Sequence, residues 1–390
     1  MRRVRLKKIG TFYSGLSGKS KSDFSEGNAL LVTYRNIFNN PVLNPAIKDT
    51  VVVGKDEKQN EVLWGDILIT GSSETPADAG MSSVVLFNPQ EKLYLNSFCF
   101  GFRLNDMNEA LPSYIGHLLR STSIRAAISK TAFGVTRFNV NRMRFADIEI
   151  PLPPLNIQKE IVSILDSFTS LIGKMKQEVE MRKKQMEYYR EKLMAPQTNW
   201  KIKTLGEIGT FTRGNGLQKS DFRVKGFPCV HYGQIHTYYN TCIYKTKSFC
   251  EEDLAKKLQK ASYGDLLIAT TSEDVKACCK AAVWFGAGDV AYSGDSFCYS
   301  HDQDPKYMAY LFQTEMFAKQ KQKAATGAKV IRVSGESMAS FSFAFPPLVQ
   351  QRQIVSILDT FETYISKLEK MIELRQKQYE YYREKLLTFE

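Results

Sequence analysis

The sequence predicts an α+β chain: two similar mixed α/β globules joined to a pair of long helices that pack antiparallel as a coiled coil. Three observations predict it. Residues 153–193 and 346–386 align without a gap at an offset of 193, with 24 identities in 41 positions. Each of these segments has a heptad spacing of apolar residues. Each is preceded by about 150 residues of short, strand-like pieces bounded by Gly, Asp or Asn. An internal repeat of this kind makes each half one structural unit.

The first globule opens with KKIGTF (7–12), which matches GEIGTF (206–211) in the second. Ser22-Asp23-Phe24 matches Ser220-Asp221-Phe222, LLVTYRNI matches PCVHYGQI, WGDILIT (64–70) matches YGDLLIAT (263–270), and Ser97-Phe98-Cys99 matches Ser296-Phe297-Cys298. These pieces are rich in β-branched and aromatic residues and read as strands, with His231 and His236 on a strand and turn. The loops between them share little. Pro153-Pro154 and Pro346-Pro347 mark the helix starts, because proline is tolerated in a first helical turn. Pro196 stops the first helix.

The seam of the first helix is Ile161, Leu165, Phe168, Ile172, Met175, Val179, Arg182, Met186, Tyr189 and Leu193. That of the second is Ile354, Leu358, Phe361, Ile365, Leu368, Ile372, Arg375, Tyr379, Tyr382 and Leu386. About 38 helical residues span roughly 57 Å. Arg182 and Arg375, at equivalent places, either fix register or pack their stems while the guanidinium reaches water; the second is the simpler reading.

The net charge is +12 over 390 residues. Residues 1–154 and 195–345 each hold 19 basic and 14 acidic groups, so the excess lies on the globules. A phosphate backbone is the commonest partner of such a surface. No run of about 18 apolar residues is present, so no membrane span is expected. MRRVRLKKIG lacks the apolar stretch of a signal peptide, and a cytoplasmic protein is the default. Seven cysteines stand without CxxC-like spacing and read as reduced structural thiols, with no metal site.

Catalytic motifs fail on inspection. In YSGLSGKS (13–20) Tyr13 stands where a P-loop needs its first glycine, and the repeat counterpart RGNGLQKS lacks the Gly-Lys pair. No G-x-S-x-G elbow, G-x-G-x-x-G fingerprint or Asp/Asn-Pro-Pro-aromatic tetrapeptide occurs. Glu74 and Glu273 follow the two GDILI/GDLLI strands and read as loop carboxylates. The chain is therefore expected to bind rather than catalyse.

The P-L-P-P-L…Q…I-V…L-D segment, the duplicated helix and the YGQIHT box (232–237) resemble the specificity subunit of type I restriction-modification systems over essentially the whole chain. The resemblance implies two target-recognition domains, 1–152 and 196–345, and conserved helices at 153–195 and 346–390. It implies that each domain reads one part of a split double-stranded DNA site, and that the paired helices give pseudo-two-fold symmetry and set the spacing. It implies no activity in this chain. S-adenosylmethionine would belong to two docked methylation subunits, and ATP and Mg to restriction subunits that join them. One departure is that no helical fragment leads the first domain.

Residue type and loop position nominate the DNA contacts. In the first half these are Lys19, Ser20, Lys21, Arg35, Arg137 and Asn139. In the second they are Arg213, Asn215, Gln218, Lys219, His231, Gln234, Lys329 and Arg332. Tyr34 and Tyr232 align and are read as core rings. The competing reading is a coiled-coil protein-interaction scaffold with no sequence-specific DNA binding; an enzyme is a third.

Overall fold

The computed structural model describes residues 2–389. Its contacts divide the chain into two units, residues 1–176 with 370–390, and residues 177–369. Each unit holds one globule, the near half of one long helix and the far half of the other.

In the first unit, Gly10–Ser14, Cys99–Leu104, Ile67–Thr70 and Ser82–Val84 form an antiparallel sheet in that order. Ile67–Thr70 is buried at every position, which explains its unbroken apolar run. A second sheet orders Thr50–Val51, Ala29–Val32 and Leu93–Leu95, the last pair parallel. Arg2–Arg5 pairs with Glu149–Leu152, tying the start of the globule to the strand that feeds the first long helix, Leu155–Leu193. The small sheet Ala132–Phe133, Phe138–Val140 and Ser72–Ser73 carries an exposed hairpin.

The second unit repeats the plan. Gly209–Arg213, Ser296–His301, Leu266–Ala269, Lys280–Trp284 and Cys242–Ile243 make a five-stranded sheet. Ser248–Cys250, Phe227–Val230, Val290–Tyr292 and Lys260–Ala261 make another. Lys201–Thr204 pairs with Ser342–Phe345 before the second long helix, Leu348–Leu387. One expectation is corrected. Residues Tyr232–Thr237 form a short helix with His231 as its cap, not a strand and turn, because His231 Nδ1 accepts the Gly233 N–H and starts a helical turn. All seven cysteines are free, and Cys99 and Cys298 are buried in equivalent strands.

Each long helix is anchored at its first turn by a buried glutamine. Gln158 Oε1 accepts the Leu111 N–H, and its amide donates to the Glu109 and Pro153 carbonyls, all at 2.9 Å. Gln351 accepts from Asp304 N–H at 3.0 Å and donates to Gln303 Oε1 and the Pro346 carbonyl. The seam residues Ile161, Leu165 and Ile172 are buried in the core of the first globule, with Tyr114, Ile115 and Leu118. Ile354 and Leu358 do the same in the second. The seam therefore covers a globule as well as a partner helix.

The helix pairing is antiparallel. In the second unit Lys183 meets Glu369 at 2.8 Å while Tyr189, further along, stacks on the earlier Phe361 at 5.5 Å. In the first unit the repeat-related pair Phe168 and Tyr382 stacks at 5.4 Å. At the helix ends, burial moves by one residue from the strict heptad: Met194 and Leu387 are 1% and 2% exposed, whereas Leu193 and Leu386 are half-buried. A straight α-helix drifts about 20° per heptad, so five heptads shift the apolar stripe by about one residue. Arg182 is half-buried, bonded to Glu178 and Gln185 and stacked over Tyr364. Among the described residues Arg375 bonds only Gln378. The arginines thus lie along the helix surface rather than in polar seam pairs.

Candidate nucleic-acid interface

The first globule has a groove of about 570 Å³ between the helix Tyr34–Asn39, the turn after Ile67–Thr70 and the hairpin 132–140. Tyr34, Phe38, Ser72, Ser73, Thr75 and Arg137 line it, along with the carboxylates Glu74 and Asp78. Arg137 is held there: its Nε donates to Ser72 Oγ at 3.0 Å, and its guanidinium stacks over Phe98 at 5.2 Å. Such a pre-set guanidinium can meet a guanine edge with little further ordering. Asn139 is exposed on the strand paired with Ser72. Arg35 is exposed on the same short helix as Tyr34.

The Lys19–Lys21 loop lies apart from this groove. The Lys19 side chain is 7% exposed and ion-paired with Glu57. That ammonium, with Gln59 and the Gly54 N–H, holds the Glu57 carboxyl down at about 2. Lys19 is thereby a structural clamp between two loops. Ser20 is also engaged, since its Oγ and N–H both bond Asp23. Lys21 is exposed and keeps a surface role open.

The second globule brings four nominated residues into one groove of about 510 Å³: Arg213, Asn215, Gln218 and His231. Ser293, Gly294 and Asp295 also line it. Arg213 Nε donates to the Gly294 carbonyl at 3.1 Å, and its terminal nitrogens have no partner among the described residues. His231 is 7% exposed, and burial pushes its pKa down. With Nδ1 accepting from Gly233, the neutral ring carries its proton on Nε2, a donor at the groove. Asn215 is committed on both amide ends, to the Lys257 carbonyl and the Gln259 N–H. Gln234 bonds the His231 N–H and Ser248 Oγ, so it positions His231 from behind. Lys219 is exposed beside the groove. Lys329 and Arg332 are exposed on the hairpin that pairs with Thr271–Ser272, outside it.

Sequence reasoning missed part of both grooves. Tyr34 and Tyr232 are not core rings alone: both are half-buried and line the grooves. Glu74 also lines the first groove. The Ser293-Gly294-Asp295 turn carried no basic residue, and its contact with Arg213 spans 81 residues of chain.

The family of the type I restriction modification DNA specificity domain matches this chain twice, over residues 2–181 and 197–376. The chain belongs to that family. It is a specificity subunit with two recognition domains. It is 31% identical over 272 residues to a putative type I restriction enzyme specificity subunit of Haemophilus influenzae, covering 66% of this chain and 68% of that one. It is 28% identical over 256 residues to the EcoR124I/EcoR124II specificity subunit of Escherichia coli, covering 62% and 63%. The alignments thus span about two thirds of these relatives. In fold it is similar to the S subunit of the type I restriction-modification system of M. genitalium, with a TM-score of 0.56, 15% identity, and coverage of 100% of this chain and 96% of the other. No helix among the described residues of the specificity subunit is long and apolar enough to cross a membrane.

Proposed function

We propose that this specificity subunit reads a split double-stranded DNA site, one part with each recognition domain, and has no catalytic activity of its own. The family match over both halves carries the reading. The domains are 1–152 and 196–345. Arg137, Asn139 and Arg35 contact DNA from the first. Arg213, Gln218, Lys219 and His231 contact it from the second, with Lys21, Lys329 and Arg332 on phosphates. Lys19, Asn215 and Gln234 hold these loops in shape.

Methylation subunits, two by the repeat, dock on the outer faces of the long helices. What supports this is an exposed apolar set that recurs at the repeat offset: Ile164, Leu171, Met181 and Tyr188 on the first helix, and Ile357, Tyr364, Leu374 and Tyr381 on the second. Restriction subunits join through that core in the cytoplasm. S-adenosylmethionine, ATP and Mg belong to those partners.

Replacing Arg213 and Lys219 together by alanine tests the second groove. Specific binding of duplex DNA should weaken and lose affinity less steeply with salt, since each phosphate contact releases counterions. Unchanged affinity and unchanged site preference remove this loop from the interface.

A further inference from the structure

The hairpins 132–140 and 325–333 are repeat-related and share one turn. Gly134 has φ +134° and Gly327 φ +100°, and a Cβ at either would stand 2.0 or 2.1 Å from a carbonyl oxygen across the turn, of Arg137 or Val330. Glycine therefore fixes both tips in the same shape. Their side chains differ. The first tip carries Phe133 and Val135, 58% and 90% exposed. The second has Thr326 and Ala328 at these places. Phe98, beside the first hairpin, is 57% exposed, whereas its counterpart Phe297 packs on the second core.

A single exposed apolar residue needs no explanation. Here two stand on a rigid tip, with Phe98 at its base under the Arg137 guanidinium. Lys130, Arg142 and Arg144 are exposed on the chain entering and leaving the hairpin. An apolar tip with Lys130, Arg137 and Arg144 near its base, and Arg142 held there by Ser14 and Phe100, fits a polyanion with an apolar interior, although Glu74 and Asp78 line the adjoining groove. Stacked base pairs behind a phosphate backbone are such a partner. The cations alone would equally suit an acidic protein surface; the match to a DNA specificity domain over this half favours the duplex.

Resting on the reading of this chain as a DNA reader, we propose that Val135 and Phe133 form an apolar wedge. It enters a base step in the half-site read by the first domain, while the flanking Arg and Lys residues hold the phosphates. A wedge of this kind partly unstacks the step and bends the duplex. The second tip is too small and polar to do so. The distortion is therefore confined to one half-site, and the two domains are unequal in action despite their common scaffold.

The test uses the full chain with its methylation subunits. The probe is the duplex selected from a randomised pool, with 2-aminopurine placed at successive steps of each half-site. The methylation subunits extrude a target base in each half-site and raise the signal there; beyond those bases, binding is expected to raise the fluorescence several-fold at one further step, in one half-site only. Phe133→Ser with Val135→Ser should abolish that rise, Val135→Ile should retain it, and Ala328→Ser should leave it unchanged. Val135 and Ala328 lie in the turns and Phe133 on the exposed strand end beside the first, and a thermal melt confirms that each variant is folded. Specific binding with no rise beyond the extruded target bases overturns the wedge and leaves the DNA reading intact. So does a rise at the further step that survives the double serine variant. Failure to select or bind any duplex overturns the DNA reading and the wedge with it.

Discussion

Gln158 and Gln351 show how much one side chain fixes here. Each is fully buried and makes three hydrogen bonds that join a loop of the globule to the first turn of a long helix. Replacing Gln158 by alanine leaves the Leu111 N–H and the Glu109 carbonyl, both half-buried, and the buried Pro153 carbonyl without these partners. Each orphaned group costs about 1–3 kcal/mol. With part of that recovered by relaxation, the variant should lose about 3 kcal/mol in urea unfolding, and Gln351→Ala a similar amount. A loss under about 0.5 kcal/mol, the range of an ordinary surface substitution, would show that these amides are not anchors. The glutamine was visible in the repeated PPLxxQ pattern, but its role was not, because its partners lie up to 49 residues away. The same limit separates Lys19 from Lys21. Two lysines in one loop look alike in sequence, and only the loop carrying Glu57 buries one of them. Contact candidates were legible as residue types; which of them remain unengaged was decided by partners met on folding, the Glu57 carboxylate for Lys19 and remote backbone groups for Asn215.

Among the elements, the long helices were the most legible. Their periodicity, their proline starts and their equivalence all follow from 41 aligned positions. What periodicity did not reveal is where each helix ends up. In the first unit Glu384, near the end of the second helix, accepts the Thr122 N–H at 2.9–3.0 Å and caps the short helix Thr122–Ser129. In the second unit Glu191, near the end of the first helix, caps Glu315–Ala324 through the Glu315 N–H at 3.1–3.2 Å. The two caps are repeat-related, so each long helix ends on the globule of the opposite half. A carboxylate at a helix N-terminus satisfies an orphan donor and meets the positive end of the dipole. Removing it by Glu384→Ala or Glu191→Ala should cost about 1 kcal/mol, read from the unfolding midpoint. The two losses should add in the double variant, because the sites share no partner. No loss in either single variant would show the caps to be incidental surface contacts. The EYYREKL endings marked both positions as repeated, yet a glutamate in a charged helix gives no sign of the distant N–H it meets.

At the scale of the whole molecule, a duplicated scaffold carries two different grooves. The first sets Arg137 among hydroxyls, rings and carboxylates; the second gathers Arg213, Gln218 and a neutral His231. The scaffold was legible because strands and helices repeat their core residues. The grooves were not, since they form from loops that diverge between halves and meet only after folding. Different grooves on equal domains are what two unlike half-sites require. The most direct measurement is selection and sequencing from a randomised duplex pool, by the full chain with its methylation subunits. One motif of two unlike parts at a constant gap is expected, with Arg137→Ala relaxing one part only and Arg213→Ala the other only. Binding with no selected motif, or a motif in which each substitution relaxes both parts equally, would contradict it.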